Sequence, residues 1–246
     1  MKALIFAAGR GQRMRPLSDR IPKPLLPAGG RMLIEWQIAA LVAAGIRELV
    51  INTAHQAGLI ERTLGDGSRY KARIQYSREG EQAEDALETL GGIVHALPLL
   101  GAAPFAVVSG DIVTDFDYRS LHAATEGIET GRRDAHFILI DNPSYHRQGD
   151  MGLQGSDATM QATMQATMQA PLLTYANIAV FAPRVFAGES AVRKRLFPWA
   201  FELVKQQRVS AERFAGRWYN VGTPEDLAAV DAELKRNPVN GLSADE

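Results

Sequence analysis

The sequence predicts an α/β fold built on a doubly wound, mostly parallel sheet. Three observations carry this expectation. Short apolar runs alternate with helix-period segments through the first half of the chain. Right-handed crossovers turn such an alternation into a parallel sheet covered on both faces. The first apolar run breaks at Gly9 and Gly11, and ligands of such sheets sit beyond the carboxyl ends of the strands. Finally, 246 residues, 46% hydrophobic and 22% charged, suffice for a sizeable core in an ordinary globular protein.

Taken in order, residues 3–8 form an apolar run that reads as a buried strand. Residues 32–44 place Leu33, Ile34, Trp36, Ile38, Leu41 and Val42 at helical spacing, with Gly45 suited to the C-terminal cap. A second strand is expected at 48–52, a helix at 57–64 ending at Gly65, and an alternating third strand at 73–77. A helix at 90–100 turns Ile93, Val94 and Leu97 inward, and a fourth strand follows at 105–109. Strands at 135–140 and 173–181 flank a tandem repeat, ATMQ, starting at Ala158, Ala162 and Ala166. Helical spacing would align Met160, Met164 and Met168; a low-complexity insertion in a surface loop is the preferred reading. A helix at 198–207, short strands at 209–214 and 218–221, and a helix from Thr223-Pro224-Glu225 to Lys235 complete the chain. No linker divides it. One domain is expected over 1–236, with halves meeting near 134 and 135 and a flexible tail at 237–246.

Composition excludes several classes of function. A formal net charge of −1 gives no global field for nucleic acid or an anionic membrane. With no cysteine there is neither a disulfide framework nor a thiolate zinc site. His55, His95, His122, His136 and His146 lack zinc-ligand spacing and read as surface or core residues. No stretch approaches a signal peptide or a membrane span, so a cytoplasmic protein is expected.

Local charge is another matter. Between Arg10 and Lys23 stand five cations, Arg10, Arg13, Arg15, Arg20 and Lys23, against Asp19 alone. Backbone N–H groups in a glycine turn can converge on an anion, and Pro22 and Pro24 stiffen the backbone on either side of Lys23. This makes a phosphate cradle, although the same residues could form a solvated turn. It is neither common phosphate motif: Met14 occupies the third glycine position of the dinucleotide fingerprint, and no P-loop ending is present. Asp111 follows the fourth strand directly in VSGD, where a hard oxygen suits Mg2+ or simply caps a turn. Asp115 and Asp117 read as solvated loop carboxylates. Thr89 is a possible helix cap, and Asn142-Pro143 is a turn signal.

The runs AAGRGQRMRP and PKPLLP, within residues 7–27, resemble the signature of the sugar-1-phosphate nucleotidyltransferases. The resemblance extends through most of the chain. It implies a Rossmann-like nucleotidyltransferase fold with a smaller sugar-binding lobe in residues 135–236. It implies transfer from a nucleoside triphosphate, UTP in the first instance, to a sugar-1-phosphate with release of pyrophosphate. By this resemblance Ala7, Ala8, Gly9, Gly11 and Gln12 hold the nucleotide, Arg13 the triphosphate tail and Lys23 the sugar phosphate. Asp111 would bind Mg2+ together with Asn220, which in WYNVGT stands where the family's usual pattern has aspartate. Glu79, Glu88 and Thr89 would line uracil and ribose, with a lengthened gap at 82–86 and Leu90 in place of a glycine. Asn142, in DNP, and Asn177 would face the sugar. The departures at Asn220, Leu90 and 82–86 keep two alternatives open. One is an inactive nucleotide-sugar-binding regulator; the other is a guanylyl- or thymidylyltransferase on the same scaffold.

Overall fold

In the computed structural model, which describes residues 1–161, 164, 165, 168, 169 and 171–239, one nine-stranded sheet runs through both halves of the chain. In chain order the strands are β1 (Lys2–Phe6), β2 (Glu48–Thr53), β3 (Arg73–Arg78), β4 (Phe105–Ser109), β5 (Ile112–Thr114) and β6 (Ala135–Ile140). They continue with β7 (Gly152–Gln154), β8 (Asp157–Thr159), β9 (Thr174–Phe181), β10 (Val209–Phe214) and β11 (Trp218–Asn220). The helices are α1 (Leu33–Ala43), α2 (Ala57–Leu64), α3 (Glu88–Leu100), α4 (Ser120–Glu129), α5 (Trp199–Lys205) and α6 (Pro224–Arg236).

The sheet order is β3-β2-β1-β4-β9-β6-β10-β8-β7. β3, β2, β1 and β4 are mutually parallel, with Ala3 facing Leu49 on one side and Ala106 on the other. Beyond them the sheet is mixed. β9 runs antiparallel to both β4 and β6, while β10 is parallel to β6. Burial explains the continuous apolar runs: Ala3, Leu4 and Ile5 are fully buried because both faces of the sheet are covered. α1, α2 and α4 pack one face around Ile5, Ile38, Ile51 and Val108. α3 and α5 pack the other around Leu4, Ile93, Val107 and Phe137. α6 lies outside this sandwich, where Leu227, Val230 and Leu234 pack on Met14, Leu26 and Trp36 and thereby pin the connector after β1.

The predicted alternation is present, with element ends moved by a residue or two. Several features differ, among them β5 and β7, which were not expected. α4 was not expected, because only Leu121 and Ile128 of its ten residues are buried and no periodic stripe is visible. The first ATMQ copy is not a loop: Ala158 and Thr159 belong to β8, with Ala158 buried against the core. Met164–Gln165 pairs antiparallel with Met168–Gln169, so a helical methionine stripe is not adopted; the rest of the repeat lies outside the described residues. The expected tail is anchored at its start, since Val239 is buried and Arg217 donates to the Asn237 and Pro238 carbonyls. Residues 240–246 lie outside the described residues. Among the described residues no helix is long and apolar enough to cross a membrane.

Candidate active site

A cavity of about 340 Å³ opens beyond the carboxyl ends of β1, β2 and β4, lined by Ala7, Ala8, Gly9, Arg10 and Lys23 from the connector after β1. Its far wall comes from Asn52, Glu79, Glu88 and Thr89, and its near wall from Asp111, Tyr175 and Asn177. The ends of the parallel strands β1, β2 and β4, the start of α3 and the antiparallel β9 deliver these residues to one place.

At one end a buried polar chain fixes the wall. The Ala7 N–H donates to Asn52 Oδ1 at 2.7 Å, and Asn52 Nδ2 donates to Glu79 Oε1 at 2.6 Å. The Leu87 N–H closes the chain on Glu79 Oε2 at 2.7 Å. Burial pushes the Glu79 carboxyl up, against the pull of the Leu87 and Asn52 hydrogen bonds. Glu79 therefore braces the pocket as well as lining it. Asn52, 2% exposed, was missed by sequence reasoning. The usable signal was a polar residue near the carboxyl end of an otherwise apolar strand. Thr89 lies in the wall but caps nothing: α3 starts at Glu88 with no side-chain cap. The lengthened segment 82–86 is a single turn closed by Asp85, which accepts the Glu81 and Gln82 N–H groups.

At the other end charge accumulates. The Gly110 N–H donates to the Phe6 carbonyl at 2.9 Å, and a Cβ on Gly110 would lie 2.7 Å from that oxygen. Only glycine lets the ends of β1 and β4 approach this closely, and the approach aims Asp111 at the connector. There Lys23, held in a short turn between Pro22 and Leu26, places its Nζ 2.5 Å from Asp111 Oδ2. The pair is largely buried, with Lys23 12% and Asp111 26% exposed at the side chain. Gly11, Gln12 and Arg13 lie on the connector outside the cavity wall, where Ser18 Oγ donates to the Gly11 carbonyl. The Arg13 guanidinium lies 3.4 Å from where a Cβ on Gly222 would sit. That glycine is fixed in turn, because Asp226 accepts the Gly222 and Thr223 N–H groups in the capping box of α6.

The β5–β11 pairing sets Asn220 opposite Ile112, and the Val221 N–H donates to the Asp111 carbonyl at 3.0 Å. Asp111 and Asn220, 109 residues apart in sequence, are thus neighbours across two short strands. Asp111 Oδ1 is buried with no hydrogen-bond partner among the described residues. An oxygen in that condition is costly unless a cation or donor reaches it. Among the described residues no group of three or more His, Cys, Asp or Glu could hold a metal. One carboxylate and one amide oxygen are hard donors of the kind a divalent cation accepts when phosphate and water complete its shell. The loop after Pro143 also brings the exposed Tyr145 close to the Asn220 side chain. Nothing in the sequence marked it. Asp115 and Asp117 are paired with Arg217 and Arg119 rather than merely solvated.

The two asparagines expected at the sugar separate. Asn177 lines the cavity at φ +60, in the left-handed region, within an irregularity of the β9–β6 ladder between Tyr175 and Ala179. Such strain gathers at functional positions. Asn142 is not in the cavity wall. Its Nδ2 donates to the Leu172 and Arg147 carbonyls, and its Oδ1 accepts from Thr174 Oγ1 at 2.8 Å. The amide is spent on bracing the loop that follows β6.

A model of the nucleotidyl transferase family matches residues 2–163, and the chain belongs to that family. It is 41% identical over 224 residues to the N-acetylmuramate alpha-1-phosphate uridylyltransferase of Neisseria meningitidis serogroup B, covering 91% of this chain and 94% of that protein. It is 32% identical over 238 residues to the protein of the same name from Caulobacter vibrioides, covering 94% and 96%. A mannose-1-phosphate guanylyltransferase of Mycobacterium tuberculosis is 27% identical, and this chain spans 64% of its length. The fold is shared with a Bacillus anthracis chain described as a glucose-1-phosphate thymidylyltransferase and crystallised with sucrose. The TM-score is 0.81 at 20% identity, covering 99% of this chain and 98% of that one.

Proposed function

We propose that this chain is a uridylyltransferase that joins N-acetylmuramate α-1-phosphate to UTP and releases pyrophosphate. The observation that carries the reading is the Lys23–Asp111 pair at 2.5 Å, with an unsatisfied carboxylate oxygen, at the charged end of a cavity whose other end is polar. The preference for uridine and muramate is supported by the likeness to two proteins with that name. The family in general acts on small-molecule phosphates, and the sugar and base are the finer part of the proposal.

In this reading an oxygen of the sugar phosphate attacks the α-phosphorus of UTP in line. The new P–O bond forms as the bond to the bridging β-phosphate oxygen breaks, and that oxygen leaves with pyrophosphate. No covalent intermediate on the protein is needed, so catalysis is positioning plus charge neutralisation. Arg13, over Gly222, holds the triphosphate tail and the departing pyrophosphate. Lys23 meets the sugar phosphate. Ala7, Ala8 and Gly9, with Glu79, Glu88 and Thr89, surround uracil and ribose, and Asn177 faces the sugar. Asp111 and Asn220 would hold Mg2+, which when bound offsets phosphate charge.

The test is pyrophosphate release by the purified protein across the common NTPs and several sugar-1-phosphates, with Mg2+ or with chelator. UTP with N-acetylmuramate α-1-phosphate should give the highest kcat/KM, and chelator should abolish it. A preference for GTP with mannose-1-phosphate would move the chain to the guanylyltransferases. Release with no pair, alongside binding of a UDP-sugar, would establish the inactive regulator motivated by Asn220 and Leu90.

A further inference from the structure

α3 begins at a strained residue. Glu88 sits at φ +61, where side chains other than glycine are rarely found, and its side chain lines the cavity. A conformation of that kind persists only where the surroundings over-determine it. Here the determinants come from residues 190–195, about a hundred positions further along the chain. The Lys194 N–H donates to the Leu87 carbonyl at 2.9 Å, on one side of Glu88. The Lys194 carbonyl accepts the Leu90 and Gly91 N–H groups at 3.0 and 3.1 Å, on the other side. The approach is possible because residue 91 is glycine: a Cβ there would lie 2.1 Å from the Val192 carbonyl oxygen.

These bonds have a chemical consequence. Two of the four first-turn donors of α3 are already taken, and the turn presents to the cavity the Glu88 carboxylate, which only accepts hydrogen bonds, beside Thr89. Arg193 Nη2 lies 3.4 Å from Glu88 Oε1, and Lys194 Nζ pairs with Glu189 at 2.7 Å. Segment 190–195 thus sets both the backbone and the side chain of Glu88.

We propose that residues 190–195 form a strap that positions Glu88 to accept hydrogen bonds from the donors of the bound nucleoside, with Arg193 as the positioning residue. The proposal rests on the nucleotidyltransferase reading and extends it to a segment from the other half of the chain. The strap tunes nucleotide affinity and leaves the chemical step alone.

Arg193 is half exposed, so Arg193→Ala should fold normally. It should raise KM for UTP about tenfold, the size of one charge-assisted hydrogen bond, with kcat and the sugar-phosphate KM within about twofold of wild type. Arg193→Lys should recover part of the loss. Glu88→Gly relieves the left-handed strain, so it should raise the unfolding midpoint while raising KM for UTP at least as much. Arg193→Ala should then add nothing in the Glu88→Gly background. A wild-type KM for UTP in Arg193→Ala overturns the proposal, as do an equal rise in both substrates' KM values and full affinity in Glu88→Gly. The same variants titrated with UTP by calorimetry test the strap even if no substrate pair turns over, which separates its failure from that of the activity.

Discussion

The two halves of the sheet build their parts of the site by different means. From β3 to β4 every neighbour is parallel and every strand ends at the cavity, so a residue's place in its own strand sets its place in the site. From β9 to β7 the sheet is mixed, and contact with the ligand space depends on a ladder irregularity at Asn177 and on loops braced from elsewhere. In the first half geometry follows from spacing. In the second it follows from partners.

The comparison is open to direct attack. Asp111→Ala, in the parallel half, should lower kcat/KM by about 10³-fold while the circular dichroism spectrum is unchanged, since the proposed mechanism relies on its oxygens for charge neutralisation. Near-normal turnover would mean that the first half does not hold the chemistry. In the mixed half two asparagines should part company. Asn177→Ala should raise KM for the sugar phosphate about tenfold with little change in melting. Asn142→Ala, which strips its carbonyl and hydroxyl partners, should cost about 1–3 kcal/mol in urea unfolding. The reverse pattern would make Asn142 the sugar contact after all.

The smallest effect belongs to the junction. Asp134, just ahead of β6, is held below the usual carboxylate range by Arg208 and, secondarily, by Arg184, at 2.7 to 3.0 Å. A depressed folded-state pKa means that its stabilisation is complete above the ordinary carboxylate value and fades as pH falls through the folded value. Asp134→Asn should therefore cost about 1 kcal/mol at neutral pH, and its gap from wild type should start to close below about pH 4. A gap that ignores pH would reduce these contacts to packing.

Legibility depended on whether a residue's partners are local. The glycine turn, Lys23 and Asp111 could be read because each sits at a fixed offset from the end of an apolar strand. Asn52 could not be weighed, because its partners are Ala7, 45 residues away, and Glu79, 27 away. Asn142 was expected at the sugar from its DNP run alone, which shows nothing of the groups that satisfy its amide, Leu172 and Thr174, 30 and 32 residues downstream. The start of α3 was expected two residues late, since the group that caps it is a backbone carbonyl from Lys194 and not a local side chain. The family signature supplied Asn220, which no local rule would have selected. Why Asn rather than Asp stands there has no explanation in the structure.

β9 carries a consequence for motion. It is bonded along one edge to the strand that leads to Asp111 and along the other to the strand that leads to Asn142. Rotating one half against the other would tear a peptide ladder, so the sheet itself supplies no hinge between the halves. Admission of the triphosphate and escape of the product then fall to segments outside this ladder.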